Sequence, residues 1–167
     1  MVPLHQRKFL FVTGKGGVGK TTVTAALALS LARRGCRVLM TSCDAKERLS
    51  TVLEVEPLAD KIRAILPGLW GVRLDPEVAL EEYGEMMLKS RVLYKAVFQN
   101  RYTRGFFAGV PGLYDWSMLG KAWFHSTELG RDGRRRFDVV LFDAPATGHG
   151  LDMLRIPKLM CDMVPPG

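Results

Sequence analysis

No apolar stretch in the sequence approaches the roughly 20 residues that a membrane-spanning helix needs, which excludes such a helix from these residues. No secretory pattern is read at the N-terminus. The first apolar run, Phe9 to Val12, is too short for the h-region of a signal peptide. Cysteine is scarce, with Cys36, Cys43 and Cys161 forming neither a CxxC pair nor a metal-ligand spacing. An odd count in a chain read as cytosolic argues against a disulfide framework, and all three read as buried small apolar residues. A cytoplasmic protein is the expectation. Acidic residues are outnumbered 17 to 24, for a formal charge of +7. That sign suits nucleic acid or an anionic membrane, but no long basic tract gathers it. Its densest point, Arg131 to Arg136 (RDGRRR), reads as a solvated turn ahead of a strand in preference to a nucleic-acid patch, and aromatic–basic repeats that would stack bases are lacking. At 167 residues the chain can bury one core, so residues 1–167 are expected to form a single domain.

What is present begins with Gly14-Lys15-Gly16-Gly17-Val18-Gly19-Lys20-Thr21-Thr22, a gapless match to the phosphate-binding loop GxxxxGK[ST] with an extra lysine, Lys15. Glycines let such a loop turn tightly and aim successive N–H groups inward, and the positive end of the following helix adds to the attraction for a polyphosphate. Lys20 is placed to reach the β- and γ-phosphates of a nucleotide, and the Thr21 hydroxyl to ligate Mg²⁺. The context agrees. Arg7 to Thr13 ends in an apolar run that reads as a buried parallel strand. Thr21 to Arg34 reads as a helix, with Val23, Ala26, Leu27, Ser30 and Leu31 at helical spacing and Gly35 as its stop.

A second strand, Arg37 to Ser42, leads to Asp44, and a short helix is predicted over Glu47 to Glu54. A third strand spans Leu69 to Leu74, after which Asp75 and Pro76 form an N-cap and first helical residue. The stretch 76–130 shows no convincing strand and is predicted as a helical subdomain broken at Val110-Pro111-Gly112. It holds Met86, Met87, Phe98, Phe106, Phe107, Trp116, Met118 and Trp123, which read first as ordinary core and second as an adaptable apolar surface for a client. Phe137 to Phe142 (FDVVLF) is a fourth strand, apolar except for Asp138, and it stops at Asp143. A carboxylate at that point is what the second half of a phosphate-loop site requires, holding Mg²⁺ commonly through a water. The plainer alternative makes Asp143 a helix N-cap. His149, alone in a glycine-rich loop, reads as structural.

The loop KGGVGKTT, the strand ending at Asp44 and above all FDAPATGHGLDMLRIPK resemble the arsenical pump-driving and tail-anchored-protein-targeting ATPase family (ArsA-like, anion-transporting ATPases), within the deviant Walker A P-loop NTPases. The likeness runs from about Lys8 onward and is densest in the loop and in Asp143 to Pro157. It implies an α/β P-loop NTPase fold, with a mostly parallel sheet flanked by helices and a helical insertion between the third strand and the second-switch strand. It also implies ATP as substrate and a homodimer, or a heterodimer with a related ATPase, that acts on a client protein or membrane partner. In that class the lysine matching Lys15 reaches across the dimer to the partner's nucleotide, and Lys20 acts within its own subunit. The aspartate matching Asp44 opens the first switch and orients the attacking water, and Asp143 supports the Mg²⁺ shell and opens the second switch.

The sequence departs from the family in three ways. The first switch reads Asp44-Ala45-Lys46-Glu47-Arg48-Leu49-Ser50, without the proline and histidine usual there. The zinc-holding and metalloid-binding cysteines of the two branches have no counterpart, so nothing supports arsenite as effector. Four candidate strands are few for a doubly wound sheet, and Val164 to Gly167 reads as a loop leading onward. The expectation is therefore a domain incomplete at its C-terminus. An active dimeric ATPase leads the readings. A nucleotide-binding scaffold with little turnover, or a positioning ATPase of the partition or septum-site type, stands behind it.

Overall fold

The computed structural model describes residues 3–43, 48–88, 110 and 112–163. Its elements are β1 (Phe9–Val12), α1 (Lys20–Arg33), β2 (Val38–Ser42), α2 (Leu49–Leu53), β3 (Arg63–Leu66), β4 (Leu69–Arg73), α3 (Pro76–Leu88), α4 (Leu113–Thr127), β5 (Val139–Asp143) and α5 (Thr147–Met163). The strands form one sheet in the order β1-β5-β2-β4-β3. Four of them run parallel, and β3 pairs antiparallel with β4 at one edge. This is the α/β, mostly parallel architecture expected of a P-loop NTPase.

Strand β5 lies between β1 and β2, with Asp143 in register with Val12 on one side and Ser42 on the other. Every residue of β2 and β5 is buried, as parallel strands covered on both faces require. Alternate residues feed two cores. Leu39, Val140 and Phe142 point to one face, packed with Leu74, Ala79, Met118, Ala122 and Met153. Val38, Met40, Val139 and Leu141 point to the other, covered by Ala25, Ala28 and Leu31 of α1 and Leu49 of α2. Phe142 stacks on Phe11 with ring centroids 5.2 Å apart, and its loss to alanine should cost about 3–5 kcal/mol.

Four expectations need correction. Strand β1, read as a buried strand, is only partly buried at all four of its residues, because it lies at an edge of the described sheet. The sheet has five described strands, because β3 was not foreseen: it is four residues long, half-exposed, and turns into β4 through Pro67-Gly68, read as mere flank. Helix α1 packs on Thr24, Ala25, Ala28 and Leu31, while Val23 is half-exposed and Ala26 and Ser30 face outward. The phase of this helix is set by the loop that starts it, and small residues let its backbone sit close to the sheet. Cys36 and Cys43 are half-buried at the core margins, not fully buried. Cys161 lies outside the residues whose side chains are described.

Local chemistry accounts for the remaining joints. Asp75 Oδ1 accepts from the N–H groups of Glu77 and Val78 at 3.0 and 3.2 Å, capping α3 as its sequence predicts. Asp138, the one polar residue of FDVVLF, precedes β5 and accepts both the Arg37 guanidinium (2.8 and 3.2 Å) and the Arg37 N–H (2.8 Å). That bond holds its carboxyl below the ordinary carboxylate range. Residues 130–134 of the arginine-rich tract form a turn, closed by Gly130 N–H to Arg134 O at 2.7 Å. In the helical stretch, Met118 and Ala122 join the sheet core, whereas Trp123 is 57% exposed and packs on Phe9. The side chains of Met86 and Met87, and residues Phe98, Phe106 and Phe107, lie outside the described part. No helix among the described residues is long and apolar enough to cross a membrane.

The inner face of α4 carries Ser117, Lys121 and His125 at four-residue spacing, all buried. Lys121 Nζ meets Glu82 Oε2 of α3 at 2.5 Å. His125 Nδ1 lies 2.7 Å from Glu128 Oε2, and its ring stands edge-on to Phe124 and Phe137. Burial pushes the imidazole below its ordinary value of 6.5, against the opposing pull of Glu128. A lowered folded value means that the unfolded chain takes up a proton which the folded chain refuses. The stability this histidine supports is therefore complete above pH ~6.5 and falls as pH drops toward the folded value, by at most about 1.4 kcal/mol per pH unit. Thermal melting of the parent and His125→Leu between pH 7 and pH 5 checks this: the parent should lose more stability on acidification than the variant, and equal slopes would contradict it.

Candidate functional site

The loop 13–19 joins β1 to α1 at the carboxyl end of the sheet, where parallel α/β proteins place their ligand crevice. Gly17 and Gly19 adopt φ of +79° and +89°, a conformation that side chains strain to reach. A Cβ built on Gly16, Gly17 or Gly19 would meet nothing within 4 Å, so the loop presents open backbone. Gly19 is the N-cap of α1; no side chain caps this end, and no acidic residue stands in its first turn. The first N–H groups of α1 thus have no partner within the helix, and no acidic residue of its own first turn offsets the positive end of its dipole. These are the features of an anion site. Lys15 and Val18 are exposed on the loop, and Lys20 Nζ donates to the Lys15 carbonyl oxygen at 3.4 Å.

Asp143 closes the site from the neighbouring strand. The register that sets Val12 beside Asp143 brings the carboxylate to the first turns of α1. Thr21 Oγ1 donates to Asp143 Oδ2 at 2.9 Å. Thr24, one turn further on the same helix face, directs its hydroxyl at Asp143 Oδ1 at 3.3 Å and at the Lys20 carbonyl oxygen at 2.9 Å. Asp143 is 7% exposed, so its carboxylate is held by protein groups far more than by bulk water. The helix-cap alternative fails for a structural reason: Asp143 is the last residue of β5, and α5 begins only at Thr147.

The structure therefore brings together Gly14, Lys15, Gly16, Gly17, Val18, Gly19, Lys20, Thr21 and Thr22 in one loop and helix start, with Asp143 against Thr21. Ser42, at the end of β2, pairs with Asp143; Asp44 itself lies outside the described residues. Two contributors were not foreseen. Thr24 is buried on α1, and its signal was a hydroxyl one turn after Thr21 on the inward face. Gly150, in the first turn of α5, lies so close to Thr13 that a Cβ there would come within 3.0 Å of Thr13 Oγ1 and 3.2 Å of the Pro145 carbonyl oxygen. Its signal was the second glycine of TGHG.

The oxygen donors here, a threonine hydroxyl and a carboxylate, suit a hard divalent cation such as Mg²⁺. Among the described residues no cluster of three or more histidine, cysteine, aspartate or glutamate side chains could cage a metal. A site of this kind fits Mg²⁺, which keeps several waters and shares its remaining positions with substrate phosphates.

Residues 7–165 match the family model described as anion-transporting ATPase. An arsenical pump-driving ATPase of Escherichia coli is 31% identical over 89% of this chain and 25% of its own length. A putative arsenical pump-driving ATPase of Halobacterium salinarum is 31% identical over 95% of this chain and 25% of its own. The ATPase BagA of Mycobacterium tuberculosis is 30% identical over 93% of this chain and 47% of its own. The chain belongs to the anion-transporting ATPase family, and it spans between a quarter and a half of the length of these relatives.

Removing the loop lysine tests the site directly. Hydrogen bonds to charged groups contribute about 1.5–3 kcal/mol each. Lys20→Ala should weaken ATP binding by about 10- to 100-fold in calorimetry with the fold intact; unchanged affinity would remove the loop from the binding site.

Proposed function

We propose that this member of the anion-transporting ATPase family binds Mg²⁺-ATP between its phosphate loop and Asp143 and hydrolyses it as a nucleotide-gated dimer, coupling turnover to a client protein or membrane partner. The observation that carries this reading is the Thr21–Asp143 hydrogen bond, since it joins the start of the loop's helix to a strand-end carboxylate across 122 positions of sequence, the pairing such a metal site would need. The open glycine backbone and the uncapped N-terminus of α1 support a polyphosphate beside it.

In this reading the loop N–H groups hold the phosphates and Lys20 neutralises the terminal ones. Thr21 and Asp143 are the residues that would hold the magnesium. Bound there, Mg²⁺ supplies charge neutralisation on the phosphate oxygens. Asp44, which follows the strand adjoining β5, orients the attacking water. Lys15 is exposed on the loop and not needed to complete the cradle. It acts in trans on the partner's nucleotide, as an arginine finger does, in a homodimer or a heterodimer with a related ATPase. The protein works in the cytoplasm. Intact Lys15, Lys20, Thr21, Asp44 and Asp143 favour turnover over a scaffold with a dead site.

A coupled ATPase assay on the chain separates the enzyme from the scaffold: Mg²⁺-dependent phosphate release is expected, and tight nucleotide binding without release would establish the scaffold instead. Within that assay, Lys15→Ala should lose about 10³-fold or more in turnover, the scale of a trans-acting cation, while keeping most of its ATP affinity. Mixing Lys15→Ala with Asp44→Asn should restore activity at the hybrid site. A mixture that stays inactive, from subunits that remain monomeric with an ATP analogue, would refute the trans role.

A further inference from the structure

Thr24 is fully buried, on a helix that otherwise meets the sheet with alanine and leucine. A buried threonine in that position gains nothing over valine unless its hydroxyl is used, because burying an unsatisfied hydroxyl is costly. It is used twice. Its single proton is shared between the Lys20 carbonyl oxygen at 2.9 Å, one turn back on its own helix, and Asp143 Oδ1 at 3.3 Å, on the neighbouring strand. Thr21 occupies the other carboxylate oxygen, Oδ2, at 2.9 Å. The two threonines therefore grip the two oxygens of one carboxylate from adjacent turns of one helix.

We propose that Thr24 is a positioning residue for Asp143: by donating to Oδ1 it fixes the plane of the carboxylate, so that Oδ2 stays on the Thr21 side, where the metal shell forms. The proposal rests on the magnesium reading of this site. The physical logic is that of outer-shell partners in metal sites, which orient a ligating group without touching the ion and whose loss commonly lowers metal affinity 10- to 100-fold. Attachment to Lys20 gives the arrangement a second consequence. The same hydroxyl that orients Asp143 also bonds the backbone of the phosphate-loop lysine, so the carboxylate is indexed to the loop itself and not merely to the sheet.

The test compares the ADP affinity of the full chain in excess Mg²⁺ with its affinity in EDTA, by calorimetry, for the parent, Thr24→Val, Thr24→Ala and Thr24→Ser. The parent should bind more tightly with magnesium. Thr24→Val, which keeps the shape, and Thr24→Ala, which covers the case that valine does not fold, should lose about tenfold of that magnesium-dependent gain. Their EDTA affinity should match the parent's, and Thr24→Ser should restore the gain. A general loss of stability would weaken both affinities alike and leave their ratio unmoved. A ratio in Thr24→Val and Thr24→Ala equal to the parent's would overturn the proposal, as would a serine variant as impaired as valine. A parent whose affinity ignores magnesium would overturn the magnesium reading itself, which is a distinguishable result.

Discussion

The position of β5 between β1 and β2 is the constraint on which the rest of the molecule depends. A one-residue slip of a strand buried on both faces would send every side chain from one core into the other and mismatch the packing of both at once. The register of β5 is therefore fixed by Val139 to Phe142, and fixed with it is the point where the strand ends. That point is Asp143, level with Val12 before the phosphate loop and with Ser42 before the Asp44 segment. Three segments distant in sequence become neighbours because hydrophobic packing, and not any attraction among polar groups, chooses their alignment. Burial on this scale outweighs the polar contacts at the strand ends, each worth about 1 kcal/mol or a little more.

Two aspartates bracket that strand, and they do different work. Asp138 sits at its start with a side chain 40% exposed, clamped to Arg37 at the start of β2. Solvent screens a pair so exposed, and its contribution is modest; its value lies in aligning two parallel strands at their entry. Asp143 sits at the other end, nearly excluded from water and gripped by two threonines. The sequence shows both as acidic residues in or beside one apolar run. Only the loop motif at Gly14 made the second stand out, and only the fold shows that the first is an anchor.

That contrast indicates which parts of the molecule were legible. The phosphate loop, the flanking strand and helix, the buried strand into Asp143 and the Asp75 cap are written in short range: glycine spacing, apolar runs, a capping side chain ahead of a proline. These follow from local chemistry and stand in the structure as elements, although β1, read as buried, is only partly buried along its length at the edge of the described sheet. Strand β3 was missed because a four-residue, half-exposed edge strand carries almost no periodic signal, and its identity depends on β4 being present to pair with it. The inward face of α1 was misjudged because the helix is only weakly amphipathic. Its orientation comes from where the loop launches it, and alanine suffices at the contact. Thr24 and Gly150 could not be ranked by sequence, since their roles exist only between segments that folding brings together.

The same logic explains why the site is so sparingly built. Against the loop the protein supplies open backbone, one helix end, two lysines, two threonine hydroxyls and a carboxylate. A preassembled cage of carboxylates would hold a divalent ion whether or not phosphate was present. With a single carboxylate among the described residues, a divalent cation placed there would leave most of its positions to water and to phosphate oxygens, and its affinity would rise chiefly with phosphate present. The close approach of Gly150 to Thr13 completes the arrangement. The first turn of α5 rests against the residue that opens the loop, and Asp143, four residues before α5, rests against the helix that closes it. Any displacement of the loop backbone is therefore felt by the segment 143–150 at both of its ends. A glycine at 150 allows that contact at a distance no side chain could occupy without moving Thr13. The Thr21–Asp143 hydrogen bond and the close approach of Gly150 to Thr13 thus tie both ends of the segment 143–150 to the phosphate loop and the helix that follows it.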